Sequence, residues 1–313
     1  MNRANNRGFG KTILCGEHFV VHGLPAIVSA LSTSTSAVLC ESNLPGLQLL
    51  DERPATPGYK AEKRAQQEAS LRLMAEALGL NLSARGLVVR LGGDLVAASG
   101  VGASAASCTA FARAASSFFG LDLDDARINA VAFEGEKAFH GTPSGIDNTA
   151  ATYGGLLTFR KDLSGGAPSF TPLATGTPLP IVLADTALTA DTSAVVGEVR
   201  AFLRANPDRG RELFTAYDAL YSEMVQALEV GELRQIGTLM NRNQDLLAEL
   251  GVSCPEIEEL IAMARSNGAL GAKLTGTGRG GLVLCLAADE RSADTLAELL
   301  ATSGRRIFRA TLG

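Results

Sequence analysis

The residues best equipped for chemistry crowd into one stretch, Glu134 to Asn148, which reads E-G-E-K-A-F-H-G-T-P-S-G-I-D-N. Glu134, Glu136, Lys137, His140 and Asp147 straddle a helix end, a Gly/Pro break and a new helix start. Carboxylates placed this way can accept a proton or hold a hard cation through oxygen. Ser144-x-x-Asp147 is also a passable capping box, in which the aspartate does no more than secure a helix. The choice between these readings turns on two Gly-rich segments elsewhere that call for an acidic, metal-competent partner.

The first of these, Gly100-Val101-Gly102-Ala103-Ser104-Ala105-Ala106, clears space for a bulky anion and runs straight into a helix. Unpaired N–H groups and the positive end of that helix would hold phosphate oxygens. The dinucleotide fingerprint does not fit, because Ala105 stands where its third glycine belongs. Nor is Gly10-Lys11-Thr12 part of a Walker A loop, since Asn5 stands at the required earlier glycine. The second segment, Thr275 to Gly281, lies between two apolar runs and is too flexible for a minimal hairpin, so a ligand is expected there. Arg279 within it is placed either to reach phosphate or to point outward from the turn. Only three histidines occur, His18, His22 and His140, all within the charged segments. His18 and His22 are spaced i, i+4 on strand and turn rather than helix, which disfavours zinc. They and His140 read better as structural or substrate-orienting imidazoles. Ser104 stands in no G-x-S-x-G elbow, so a serine hydrolase is disfavoured too.

These residues need scaffolding. Lys11 to Leu31 reads as two strands around a turn holding Gly16, Glu17 and His18, with further strands at 35–40, 47–50 and 87–91. Helices are predicted over 61–78, from the small-residue loop to Phe119, and from Asp124 with apolar residues at Ile128, Val131, Ala132 and Phe139. A short helix capped by Ser144 completes a first domain to about residue 175, with linkers at 165–168 and 175–180. A strand at 181–184, helices near 191–205, 209–229, 231–249 and 255–266, strands near 272–274 and 282–286, a helix at 289–302 and a strand near 306–310 form the second. The absence of regular βαβ alternation makes the fold class α+β.

The 313 residues suit two domains, and 46% hydrophobic with 19% charged residues is a globular composition. No window approaches the roughly 18 to 20 apolar residues of a membrane span, and the polar start is unlike a signal peptide. A cytoplasmic protein is therefore expected. Five scattered cysteines without a C-x-x-C pair suggest neither disulfides nor zinc. The net charge of −5 and the lack of Trp argue against a nucleic-acid partner or an anionic membrane. Oligomeric state is left open, a homodimer included.

In sum these motifs carry a resemblance. G-K-T-I-L-C-G-E-H-F-V-V-H-G at 10–23, the small-residue loop at 100–106 and K-L-T-G-T-G-R-G-G at 273–281 resemble the three motifs of the GHMP small-molecule kinases, in order. H-G-T-P-S-G-I-D-N at 140–148, followed by Tyr153-Gly154-Gly155, is similar to the branch that phosphorylates mevalonate. The run from Leu239 to Gly251 is similar as well. The resemblance implies a ribosomal-S5-like domain over 1–175 and a ferredoxin-like domain over 176–313. It implies ATP-dependent phosphorylation of the 5-hydroxyl of mevalonate, with Mg2+. Position by position, it makes Asp147 the catalytic base and Lys11 its partner on the reacting hydroxyl. Ser104 and Glu136 become magnesium ligands. Ser99 to Ala105, with Gly278 and Arg279, would hold nucleotide, and Glu17, His18, Thr192 and Gly276 would bind substrate, His18 at its acid end. Val96, Ala98, Ala103, Thr277 and Arg279 depart from the family pattern. The rivals are a kinase for phosphomevalonate or another small hydroxy acid, and a catalytically silent nucleotide-binding regulator.

Overall fold

The computed structural model describes residues 6–81, 86–98 and 100–313, and among them the chain forms two compact units. The first comprises the chain up to Lys11 together with Ala30–Gly154; the second comprises Thr12–Ser29 and Gly155–Gly313. This is a division by packing, whereas the expected boundary near 175 is a division along the sequence.

In the first unit, β4 (Gly86–Gly93) lies between β3 (Leu47–Asp51), to which it is parallel, and β2 (Ala26–Ser42), to which it is antiparallel. The helices are α1 (Tyr59–Ala77), α2 (Ala103–Phe119), α3 (Asp125–His140) and α4 (Ile146–Tyr153). α3 packs on α1 and α2, and α4 packs on α2 and α3. α2 is apolar or small almost all round and is buried accordingly. Its Phe111, Ala112 and Ala115 meet Leu87, Val89 and Leu91 of β4, Leu71 and Met74 of α1, and Ile128, Val131 and Ala132 of α3 in one core. The helical spacing that buries Ile128, Val131 and Ala132 brings Glu136 onto the same buried face. A carboxylate on a core stripe is the first structural sign of a site.

In the second unit, Ala26–Ser29 at the start of β2 pair with β5 (Leu156–Arg160), and β5 pairs with β6 (Ser169–Pro172). No strand was expected at either place, and Gly165–Pro168, read as a linker, lies in the loop between them. β6 is an exposed edge strand ending in proline, so it carries neither apolar alternation nor a buried face to betray it. The second of the two strands expected within 11–31 and the strand expected at 35–40 are one strand, β2, because Ser32-Thr33-Ser34-Thr35 continues it as β-compatible polar residues. A four-stranded antiparallel sheet has the order β10-β7-β9-β8, from β7 (Leu179–Asp185), β8 (Gly271–Thr275), β9 (Leu282–Leu286) and β10 (Ile307–Leu312). Between β7 and β8 run α5 (Thr192–Ala205), α6 (Pro207–Val230), α7 (Leu233–Glu249) and α8 (Pro255–Ser266), and α9 (Glu290–Ala301) joins β9 to β10. That order and connection pattern is the split βαβ, ferredoxin-like arrangement with helices added to its first crossover. The chain is thus α+β, as expected. Among the described residues no helix is long and apolar enough to cross a membrane.

Candidate active site

In the first unit the chemistry converges on the start of α4. Lys11, the last residue of that unit's share of β1 (Arg7–Cys15), has its ammonium 3.2 Å from Asp147 Oδ1. Lys11 is buried while Asp147 keeps a quarter of its side chain exposed, so one face of the carboxylate is open to a reactant. The lysine stem lies against the small-residue loop. Its backbone N–H donates to Val101 O at 2.8 Å, and a Cβ on Gly102, at φ +70°, would stand 2.6 Å from Lys11 Cγ. The glycine therefore makes room for the lysine as well as for an anion.

Asp147 is not a capping residue. Gly145, at φ +89°, caps α4 without a side-chain bond, and Ser144 Oγ accepts only from Ile146 N at 3.4 Å. Thr149 Oγ1 donates to Gly145 O at 2.7 Å, and Asn148 Nδ2 donates to Asn129 Oδ1 at 2.6 Å, fixing the helix start against α3. The Asp147 carboxylate is left for Lys11.

Behind this pair lies Glu136, 1% exposed. Burial, then the neighbouring Asp147 charge, push its carboxyl up to about 8, while a hydrogen bond with Ser104 and the Lys11 ammonium work the other way. His140 Nε2 stands 3.6 Å from Glu136 Oε2, and one ligand atom from each of Glu136, His140 and Asp147 falls within 4.8 Å of the others. Burial lowers the His140 pKa, which favours a neutral ring. Cys108 Sγ is 3.8 Å from Glu136 Oε1, and Gly135 has no space for a side chain, with Cys108, Met74 and Ser70 all 2.8 Å from its would-be Cβ. The helix can press Glu136 inward only because its neighbour is glycine.

Ser104 sits in the first turn of α2, whose carbonyls are held from below. Arg53, 3% exposed, donates to Ala103 O at 3.1 Å and to the Asp51 carboxylate. Ser107 Oγ lies 2.7 Å from Ser104 O and 3.0 Å from Gln67 Oε1. Sequence reasoning missed this support. A lone arginine in a polar loop has no signature until folding buries it. Gly100, Val101, Gly102, Ala103 and Ala105 form the loop and helix start as expected, while Ser99 lies outside the described residues.

The second unit brings together the other expected residues. Glu17 and His18 occupy the turn after β1, and both are buried. Lys273 of β8 pairs with Glu17, both side chains fully enclosed, and Lys273 also donates to Leu274 O. In the sequence Lys273 was legible only as the first residue of the third motif, with no role attached to it. His18 Nε2 lies 2.7 Å from Thr277 O. Thr277 Oγ1 is 2.8 Å from Thr192 Oγ1 at the first position of α5, whose N-cap Asp191 accepts from Ser193 N and Ala194 N. Gly276 has open space around it. Gly278, at φ +79°, is needed because a Cβ would stand 2.2 Å from Val252 O. Arg279 is an exposed side chain: its guanidinium pairs with Glu198 and its Nε donates to Gly251 O at 3.2 Å.

Comparison with known proteins gives the family. Residues 63–155 match the GHMP kinases N terminal domain and residues 224–305 match GHMP kinases C terminal. A mevalonate kinase of Aeropyrum pernix is 36% identical over 320 residues, spanning 97% of this chain and 94% of that protein. One from Thermococcus sibiricus is 32% identical over 306 residues, spanning 90% and 88%. The crystal structure of L. major mevalonate kinase in complex with R-mevalonate superposes with a TM-score of 0.95 at 43% identity, covering 99% of this chain and 95% of that one.

Proposed function

This chain belongs to the mevalonate kinases of the GHMP family, and we propose that it transfers the γ-phosphoryl group of ATP to the 5-hydroxyl of mevalonate. The observation that carries the chemistry is the Lys11–Asp147 pair at 3.2 Å, with one carboxylate face open. In this reading an Asp147 oxygen orients the 5-hydroxyl and accepts its proton. Lys11 stabilises the charge that grows on that oxygen. The oxygen forms the new bond to the γ-phosphorus as the bond from that phosphorus to the ADP oxygen breaks in line. The N–H groups at the start of α2, with the backbone at Gly278 and Arg279, hold the nucleotide phosphates. Glu17 and Thr192 act through the Lys273 pair and the Thr277 contact, shaping the substrate end with His18 and Gly276.

Magnesium fits the residues present. Glu136 is a buried carboxyl beside a second acid, and the Lys11 ammonium does not offset burial and the Asp147 charge. Ser104 and Glu136 would hold the ion through hard oxygen donors. When bound, it would neutralise phosphate charge. We retain domains 1–175 and 176–313 and a cytoplasmic location as parts of this proposal.

The test is product identification after incubation with ATP, magnesium and R-mevalonate. The 5-phosphate is expected. Phosphorylation of phosphomevalonate or another hydroxy acid in preference would move the chain to a different member of the family, and ATP binding without turnover would make it a silent regulator.

A further inference from the structure

Arg53 is a buried cation that the proposed chemistry does not use. It lies between β3 and α1 and is 3% exposed. Its charge is already answered, because Nε donates to Asp51 Oδ1 at 2.9 Å and Nη2 to Asp51 Oδ2 at 2.7 Å. This two-point clamp on the last residue of β3 fixes the plane of the guanidinium and aims Nη1 at Ala103 O, 3.1 Å away. The same short segment holds the other flank of the small-residue loop. Ala97 N donates to Pro54 O at 2.7 Å, and Thr56 N donates to Ala97 O at 3.1 Å. The Ala103 carbonyl belongs to the peptide group whose N–H is that of Ser104. Ser107 Oγ, which donates to Ser104 O at 2.7 Å, stands in the same relation to the N–H of Ala105. Because α2 begins at Ala103, both N–H groups are among those with no carbonyl partner inside the helix. A donor on the oxygen of a peptide group draws electrons towards that oxygen and leaves the N–H at the other end more positive.

We propose that Arg53 and Ser107 are positioning residues for nucleotide binding. They fix and polarise the first peptide groups of α2, so that the N–H groups of Ser104 and Ala105 hold phosphate oxygens more strongly than a bare helix start would. The inference rests on the nucleotide reading of this loop and adds a mechanism to it. Arg53 acts through a peptide group and not by its own charge, because Asp51 neutralises that charge and no part of the clamp is free to turn towards a ligand. Ser107 does the same for the next peptide group with a neutral hydroxyl. Two second donors on successive carbonyls strengthen the turn that is to meet the phosphates, while the rest of α2 relies on its own N–H ladder.

The experiment measures dissociation constants of the full chain for ATP, ADP and adenosine, with a chelator present so that no metal contributes. Arg53→Met keeps an extended side chain and removes its donors. It should weaken ATP and ADP by about 5- to 30-fold and adenosine by less than about twofold. Ser107→Ala removes only a hydroxyl and puts the best helix former in its place, so it serves even if Arg53→Met does not fold. It should weaken ATP and ADP by about two- to fivefold, again with adenosine unchanged. A loss of packing alone would weaken all three ligands alike, since it has no means of distinguishing a phosphate from a ribose. Folded variants that bind ATP as tightly as the wild type, or that lose adenosine and ATP equally, overturn the proposal and leave the nucleotide reading intact. A wild type that binds no ATP overturns both.

Discussion

Replacing Glu136 by glutamine tests whether the first unit stores an uncompensated charge. The Glu136 carboxyl is raised from an ordinary 4.5 to about 8, chiefly by burial and then by Asp147. Between those two values the folded protein keeps a proton that the unfolded chain has released. Stability therefore falls as the pH rises through this window, and the loss is complete above about 8. Each unit of separation is worth about 1.36 kcal/mol, so the full cost approaches roughly 5 kcal/mol, and about 2 to 3 kcal/mol of it develops between pH 6 and pH 9. Glutamine carries no charge at either pH. Urea unfolding of wild type and Glu136→Gln should thus show a stability difference that shifts in favour of the variant by about 2 to 3 kcal/mol between those pH values. Magnesium at pH 9 should raise the stability of the wild type and leave the variant nearly unchanged, since binding to the folded state alone stabilises it. A difference that is flat with pH would refute the placement of a buried carboxyl beside Asp147, and equal magnesium effects would refute Glu136 as its ligand.

The other expected outcomes concern single contacts. Asp147→Asn should lower kcat by about 10² to 10⁴ with ATP affinity little changed, because Gly145 rather than Asp147 starts the helix; near-normal turnover would return Asp147 to a structural role. Lys273→Met should cost about 3 to 5 kcal/mol in a denaturation experiment by leaving Glu17 charged and buried, and adding Glu17→Gln should recover much of it; a single-variant loss below about 1 kcal/mol would mean that the pair behaves as an exposed one. Arg279→Gly should change ATP affinity less than about twofold and stability by less than about 0.5 kcal/mol, since an exposed ion pair is lost and a left-handed residue is relaxed. A large, salt-dependent loss of ATP binding would instead place the guanidinium on phosphate.

The legible parts of this chain were those in which one short segment carries both the pattern and the consequence. Ile128, Val131 and Ala132 announce the buried face of α3, and the same spacing puts Glu136 on it. The order of strands and helices after Leu179 could be read from apolar runs because β7, β8 and β9 are buried along nearly their whole lengths. What could not be read lies where one partner is far away. Glu17 and Lys273 stand 256 positions apart, and neither local sequence states that the other will neutralise it. The Ser144-x-x-Asp147 pattern fits a capping box, yet Lys11 takes the carboxylate from outside the helix. β6 escaped notice because its pairing with β5 is a backbone matter that its exposed side chains do not record.

Each unit concentrates its costs at the residues proposed to act. In the first, Glu136 is a buried acid beside another acid. In the second, His18 and Arg279 take left-handed backbone angles, and Lys273 and Glu17 are enclosed as charges. Strain and desolvation of this kind cost roughly 1 to several kcal/mol each, and a core built for stability alone would replace them with apolar side chains. Phosphoryl transfer gives a reason to keep them. It depends on charges and dipoles that are in position before the reactants arrive, because reorganising them during the reaction would add to the barrier. A buried glutamate that repels its neighbour in isolation suits the divalent cation proposed for it. The groups that lower the stability of the free protein are the ones proposed to supply the affinity for what it binds.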